Sequence, residues 1–272
     1  MPLVANARMY SATASARADW KTLLAWVLAH AGVADLGWEV IDYDAPAPLS
    51  ALWAREDLGL AMMCGLPFSQ HAPRPTLVAA PVPSPARYGG RPVYFTDIVV
   101  RADAKYERLE DSFGGVVGYT LADSMSGGVA LRDHLAPYRA ERGSRLYRRS
   151  VGNLIHARGV IEALAAGTID VGPLDSYYHD LLRRNEPAFA QQVRTIASTH
   201  PRPIPPLVAT AALPQDVLAR LREALQASTQ APELREVAER LLLAGFAVPD
   251  PADYDVLARI ARRDDMPPFE EL

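Results

Sequence analysis

Asp123-Ser124-Met125-Ser126-Gly127-Gly128, which we name the Ser-Gly turn, is the stretch that decides how this sequence folds. The apolar run 115–119 before it is typical of a strand, and residues 129–135 after it have the spacing of an amphipathic helix. The first turn of a helix has unpartnered backbone N–H groups and partial positive charge. Glycines let a ligand approach those groups and serine hydroxyls add hydrogen bonds, so the turn predicts an anion site. Alternatively, Ser124 or Ser126 only caps the helix.

Composition limits the classes of partner and cofactor. With 272 residues, 49% of them apolar, the chain can form one large domain or two lobes of ordinary size. A net charge of −4, without long blocks of lysine and arginine, argues against nucleic acid. The single cysteine, Cys64, excludes an internal disulfide and a cysteine-built zinc site, and no histidines have metal-ligand spacing. We therefore expect no cofactor and no metal.

The N-terminal sequence bears on location. It lacks a basic segment followed by the apolar run of about 7–15 residues that a secretion signal requires. No stretch approaches the ~20 apolar residues of a membrane span. The sequence as written therefore predicts a cytoplasmic protein without a membrane span, or a periplasmic one if the start is truncated.

Strand-like and helix-like segments alternate along the chain. This pattern is typical of βαβ units and predicts an α/β fold with largely parallel sheets. The end of the chain is predicted to be helical at 214–227, 232–243 and 251–262, each helix with a proline near its start.

Two long extended segments, 93–101 and 204–210, flank a block of roughly 100 residues that has its own alternating pattern. A chain that crosses twice between two lobes has this organisation. We predict a discontinuous first lobe, residues 1–98 and 206–272, and a second lobe, residues 99–205. Ligands in such folds bind beyond the carboxyl ends of strands, which places the predicted site in the cleft between the lobes.

Several polar side chains lie at predicted strand ends, and each also has an ordinary structural explanation. Cys64 is either a nucleophile or a small packed residue. His156, near a helix start, either donates to an anion or lies on the surface. Asp175 either accepts a ligand's hydroxyl or amine, or caps the following helix. Tyr94, on the proposed crossover with Asp97, is either a wall of the cleft or a plain strand aromatic.

In order along the chain, several stretches resemble the phosphate/phosphite/phosphonate-binding protein family of ABC importers, which has the type II periplasmic binding protein fold. The matching stretches cover roughly residues 3–210. They are Met9-Tyr10 after the first strand, Cys64-Gly65-Leu66-Pro67-Phe68 (similar to a CGxPx turn), Tyr94 with Asp97-Ile98-Val99-Val100-Arg101 (similar to YxSxxVVR), Ser124-x-Ser126-Gly127 (similar to an SxSG anion loop), His156 through Gly167, and Leu174-Asp175-Ser176. Asp97 stands where that family has a serine.

The resemblance implies a two-lobed type II solute-binding protein, not an enzyme, that closes by hinge motion around a small anionic or zwitterionic ligand. The implied ligand is phosphate- or phosphonate-like, and the implied partner is an ABC transporter permease. Ser124, Ser126 and Gly127 would hold the acidic group, and Asp175 would bind a polar or cationic part. The full set of expected ligand contacts is Tyr10, Ser11, Cys64, Tyr94, Asp97, Ser124, Ser126, Gly127, His156 and Asp175.

Two other classes of function stay open at this point. One is an enzyme on the same fold, such as a thiamine-pyrimidine-synthase-like protein or a small-molecule lyase, for which His156 and Cys64 are the candidate reactive groups. The other is a cytoplasmic ligand sensor that signals to a partner through an exposed apolar face.

Overall fold

The computed structural model describes residues 2–43 and 47–272. By its internal contacts the chain divides into two compact units. The first unit is Met1–Val93 with Pro203–Asp255, and the second is Tyr94–Arg202 with Val256–Leu272.

Both units contain strands and helices. The strands are β1 (Val4–Asn6), β2 (Glu39–Val40), β3 (Leu58–Met62), β4 (Thr76–Pro83), β5 (Val93–Tyr94), β6 (Thr96–Arg101), β7 (Val116–Gly118), β8 (Arg149–Val151), β9 (Gly172–Asp175), β10 (Val193–Ser198), β11 (Arg202–Pro203), β12 (Leu207–Ala209) and β13 (Leu243–Ala247). The helices are α1 (Ala14–His30), α2 (Leu49–Trp53), α3 (Gly65–Gln70), α4 (Ala130–Arg142), α5 (Ala157–Ala165), α6 (Ser176–Asn185), α7 (Pro187–Ala190), α8 (Gln215–Ser228), α9 (Arg235–Arg240) and α10 (Asp255–Ala261).

The first unit is built on a six-stranded mixed sheet in the order β13-β4-β12-β3-β1-β2. Strand β1 runs parallel to β2 and β3, whereas β12 is antiparallel to β3 and β4. Every residue of β3 is buried, as expected for a strand with both faces covered. One face of α1 is buried, from Trp20 to Leu28.

The second unit has a three-stranded antiparallel sheet, β10-β6-β9, and a parallel pair, β7 and β8. Residue Val117 of β7 also bridges in parallel to Val171, which immediately precedes β9. The core contains Ile98, Val117, Leu131 and Leu135, so the helix after the Ser-Gly turn packs its apolar side against the strands.

The expectation of largely parallel sheets is wrong for much of the molecule. Strand β6 runs against both of its neighbours, and β12 and β13 pair only in antiparallel fashion. A strand's apolar pattern shows that it is buried but carries no information on its direction. The predicted helix 232–243 also ends early, because Leu242 has a left-handed φ of 52° and the chain then continues as β13.

The C-terminal segment 256–272, predicted to belong to the first lobe, packs with the second unit. Phe269 and Leu272 are buried in the same cluster as Leu135 and Tyr147. The Phe269 ring stacks on Tyr119 with 3.6 Å between centroids. The helical spacing of this segment predicted a helix but could not show which core it covers.

No helix in residues 2–43 and 47–272 is both long and apolar enough to cross a bilayer.

Candidate functional site

The carboxyl ends of β7, β8 and β9 meet at one edge of the second unit. Strands β7 and β8 are parallel, and Gly118 N donates to Val171 O at 2.8 Å, which aligns β7 with the chain entering β9. Each of the three strands then leads to a helix start. The Ser-Gly turn follows β7, His156 follows β8, and Asp175 ends β9. The predicted residues Ser124, Ser126, His156 and Asp175 therefore follow adjoining strand ends, which is where α/β folds bind ligands.

The Ser-Gly turn forms a π-helical turn, Met125–Val129, that runs directly into α4. Ser124 is the residue before it, and its Oγ accepts a hydrogen bond from Gly127 N at 3.2 Å. The turn is tied to β6 by Thr96, whose Oγ1 donates to Ser126 O at 3.0 Å. The sequence could not decide which of the two serines caps the helix. In the structure the cap is Ser124.

The two glycines have a different role from the expected approach of a ligand to the backbone. A Cβ on Gly127 would lie 1.7 Å from Thr120 Oγ1, and a Cβ on Gly128 would lie 2.4 Å from Leu121 O. Thr120 N also donates to Gly127 O at 3.0 Å. The glycines therefore let residues 120–128 fold back on themselves, and this fold holds the serines in place.

The Ser126 hydroxyl is available to a ligand. Its residue is half-buried, and within the described part of the chain its Oγ has no hydrogen-bond partner. Ser124 satisfies the helix start, so Ser126 is not needed for capping. A hydroxyl that is held by its backbone and unused by the protein can donate to an anion.

His156 is exposed and caps α5. Its Nδ1 accepts from Gly159 N at 3.2 Å, so in the neutral ring the proton lies on Nε2, which has no partner in the portion of the chain that the structure describes. The loop before it is unusual, because Asn153 and Ile155 have left-handed φ values of 58° and 66°. Ile155 is β-branched, for which this backbone is rare, and it is 58% exposed.

Asp175 caps α6. Its Oδ1 accepts from both Tyr177 N and Tyr178 N at 3.0 Å, and Thr96 is its partner across β6 and β9. Thr96 Oγ1 also donates to Ser126 O. Asp175 and the Ser-Gly turn therefore both contact this one residue of β6. Burial raises the pKa of Tyr178 to about 12, so its hydroxyl keeps its proton at neutral pH.

Tyr94 and Asp97 are both buried. The Asp97 side chain has no exposed surface, and its carboxylate accepts from Ser198 Oγ at 2.8 Å and pairs with His179 Nδ1 at 3.0 Å. Burial is the main cause that lowers the pKa of His179, with the Asp97 hydrogen bond opposing it. Asp97 is therefore part of a buried polar cluster, and its expected contact with the ligand remains a prediction.

In the first unit, the predicted residues follow the neighbouring parallel strands β1 and β3. Tyr10 is buried at the end of the 3-10 segment after β1, and Ser11 Oγ donates to Ala7 O at 3.2 Å. Cys64 is buried and precedes α3 without a side-chain capping bond. These three residues lie at one edge of the first sheet, and their contact with a ligand stays a prediction.

Sequence reasoning missed the two threonines that fix the turn, Thr96 and Thr120. Thr96 lies within the predicted crossover segment 93–101, and Thr120 lies between the predicted strand 115–119 and the Ser-Gly turn. A threonine in a strand or loop has no sequence signal of its own. Among the residues that the structure describes, no three histidine, cysteine or acidic side chains cluster in a way that would hold a metal ion.

Several solved structures are similar to this chain. The binding-protein component of an ABC phosphonate transporter from Pseudomonas aeruginosa has a TM-score of 0.74 at 18% identity, over 96% of this chain and 86% of that chain. PhnD1 from Prochlorococcus marinus, in complex with methylphosphonate, has a TM-score of 0.70 at 14% identity, over 96% and 97%. A Xanthomonas citri protein bound to ATP has a TM-score of 0.61 at 21% identity, over 95% of each chain. The chain thus has the type II periplasmic-binding-protein fold, as predicted.

The family is identified by a match between the sequence and a family model. The family model for the periplasmic substrate-binding proteins of ABC phosphonate transporters matches residues 15–254. The chain belongs to this family, which confirms the resemblance seen in the order of its motifs, and it is a substrate-binding protein. This finding favours solute binding over the enzyme and sensor alternatives. No curated protein matches the chain significantly.

Proposed function

We propose that this chain captures a small phosphonate, or a related phosphate-like anion, at the strand-end edge of its second unit. The observation that carries the proposal is the Ser126 hydroxyl, which is held in the Ser-Gly turn and has no partner in residues 2–43 and 47–272. The His156 Nε2–H is a second unused donor at the same edge. Both donors suit phosphonate oxygens, and the helix start adds partial positive charge.

Asp175 fits a ligand that carries a proton to share. Its Oδ1 is occupied by two backbone N–H groups of α6. A carboxylate accepts hydrogen bonds from an amine, a hydroxyl or the P–OH of a singly protonated phosphonate. A fully ionised dianion lacks that proton and is repelled by the carboxylate. The proposed preference is therefore for singly charged or zwitterionic phosphonates.

Two further statements belong to this proposal. The protein does not alter its ligand chemically, because its role is transport and because His156 serves as a helix cap. The chain delivers its ligand in the periplasm to the permease of an ABC importer, since its family consists of periplasmic components of such transporters. ³¹P NMR of methylphosphonate incubated with the protein should show one unaltered compound, and a new phosphorus signal would contradict the first statement.

Calorimetric titration with methylphosphonate, inorganic phosphate and acetate tests the site. Ser126→Ala should weaken phosphonate binding by roughly 1.5–3 kcal/mol, the value of a hydrogen bond to a charged group. Ser228→Ala is the matched control, because Ser228 Oγ donates only within its own helix, to Leu225 O. Unchanged phosphonate affinity in Ser126→Ala would contradict the proposed site, and absence of binding by all three anions would contradict the proposed ligand class.

A further inference from the structure

A second cluster of polar side chains in the second unit surrounds a cavity of about 510 Å³. This space is lined by one face of α4, by the connection between β10 and β11 together with the first residue of β11, and by a residue beyond α10. None of the lining residues belongs to the candidate site. We name it the Asp133 cavity. The side chains that matter are Asp133, His134, Tyr138, His200, Arg202 and Arg263.

Asp133 joins two arginines from distant parts of the sequence. Arg202 Nη2 donates to its Oδ2 and Arg263 Nη1 donates to its Oδ1, both at 2.5 Å. Arg263 is further committed to Asp265, to which its Nε and Nη2 donate at 2.9 and 2.6 Å. The carboxylates that face the two guanidinium groups are therefore already used, and Arg263 has little left to offer a ligand.

Arg202 differs from Arg263 in one respect. It is only 8% exposed, and its Nε has no hydrogen-bond partner in the described part of the chain. A buried guanidinium N–H without an acceptor is costly, because the group has lost its water without replacing it. Arg202 also lines the Asp133 cavity, so an oxyanion bound there lies beside this guanidinium.

Other donors surround the same space. His134 and His200 lie near each other, and the Tyr138 ring lies 6.1 Å from that of His134. Burial and the neighbouring His200 lower the pKa of His134, so its ring is neutral near neutral pH and offers one N–H. Glu141 is the remaining carboxylate of the lining and is exposed. The interior of the cavity is therefore richer in donors than in unused acceptors.

We propose that the Asp133 cavity is a second ligand site, which takes a small oxyanion through the guanidinium of Arg202 and the imidazoles of His134 and His200. The chemistry suits a carboxylate or a phosphate monoester, because both present several oxygens to a guanidinium. This inference does not depend on the phosphonate site, since the two share no residue.

The test follows the ring C–H signals of His134 and His200 in NMR spectra of the full chain. Citrate represents the carboxylates and glycerol 3-phosphate the phosphate monoesters, each added up to about 10 mM, well above a Kd of ~1 mM. Arg202→Lys keeps a charge beside Asp133 but removes the planar guanidinium. His200→Gln changes an exposed residue and should leave folding intact. Arg222→Lys is the matched control, because its Nε and Nη2 donate to Val78 O and Leu77 O in the first unit.

At least one probe should shift both histidine signals, and the probe that does so identifies the chemical source. Arg202→Lys, or His200→Gln if the lysine variant does not fold, should weaken that probe about tenfold or more, whereas Arg222→Lys should leave it within about twofold. Silence of both signals with both probes would overturn the proposal. So would a probe that Ser126→Ala releases and the cavity variants do not, because it would then bind at the phosphonate site. A failure of phosphonate binding alone leaves this test unaffected.

Discussion

The two units begin their helices at strand ends in different ways. In the second unit the π-helical turn, α5 and α6 start at Ser124, His156 and Asp175, and each of these side chains accepts a backbone N–H. In the first unit α2, α3 and α8 start at Pro48, Cys64 and Pro214 without any side-chain cap. Among the described residues of that unit, side chains cap α1, from Thr13, and the short 3-10 segment Pro251–Tyr254, from Asp250.

This difference separates two ways of building a strand-end edge. The polar caps of the second unit stabilise their helices and leave donors such as Ser126 Oγ and His156 Nε2 directed by a fixed backbone. The first unit instead places the buried residues Tyr10 and Cys64 at the corresponding strand ends. The second edge is suited to a charged group, and the first is suited to apolar contact.

Gly127→Ala should have the largest effect, because its Cβ would overlap Thr120 Oγ1 and force residues 120–128 apart. We expect a loss on the order of 3 kcal/mol in the free energy of unfolding, measured by urea denaturation. Gly245→Ala in β13 of the first unit is the control, since the nearest atom to its added Cβ lies 3.8 Å away. A Gly127→Ala variant as stable as the control would show that the Ser-Gly turn can open without cost.

Asp175→Ala should cost about 2 kcal/mol of stability, because α6 loses the acceptor for two backbone N–H groups and a charge at its positive end. Asp175→Asn keeps the acceptor and should recover most of the loss in the same denaturation experiment. Equal losses in the two variants would mean that the charge, rather than the cap, stabilises this helix.

Stability should fall as the pH drops below about 6.5, by up to about 1.4 kcal/mol per pH unit for one buried histidine. The pKa of His179 is lowered in the folded state, so the unfolded chain takes up a proton that the folded chain resists. This penalty is absent at higher pH, where both states are neutral. Unfolding curves of wild type and His179→Gln between about pH 7 and pH 5 should converge if this explanation holds. Parallel curves would contradict it. The half-buried His134, whose pKa is also lowered, adds a contribution of the same sign to both proteins.

Cys64→Ala should have the smallest effect, below about 1 kcal/mol, because Cys64 makes no capping bond to α3 and the volume lost is small. Thr13→Ala in the same unit removes a cap, the bond from Ala16 N at 3.0 Å, and should cost about 1 kcal/mol. Thermal unfolding of both variants checks this order. A larger loss for Cys64→Ala would show that the first unit's strand end depends on that side chain after all.

Much of the fold follows from sequence pattern, and the parts that do not have physical reasons. The buried strand β6 and the amphipathic helix α8 lie where their spacing predicts, because a covered face requires apolar residues at a fixed period. The antiparallel direction of β6 and β12 left no such mark. Nor did the packing of 256–272 on the second unit, since the same apolar residues would cover either core.

In the candidate site, too, some features follow from the sequence and others do not. Helix starts after strands identified Ser124, His156 and Asp175, because capping requires particular side chains at particular positions. The choice between Ser124 and Ser126 depended on a bond of 3.2 Å that no spacing determines. The ion pairs of Asp133 in the second cavity could not be predicted either, because its partners Arg202 and Arg263 lie 69 and 130 positions away in the sequence.

The left-handed backbone at Ile155 has a consequence for laboratory evolution. An L-residue with a branched Cβ in this conformation carries a penalty of roughly 1–2 kcal/mol, which glycine or asparagine avoids. A library selected only for survival of heating should therefore replace Ile155 early. A library selected for ligand capture at moderate temperature has no such incentive, and its choice at this position would reveal whether an exposed isoleucine beside His156 is a cost of the loop or a part of its recognition surface.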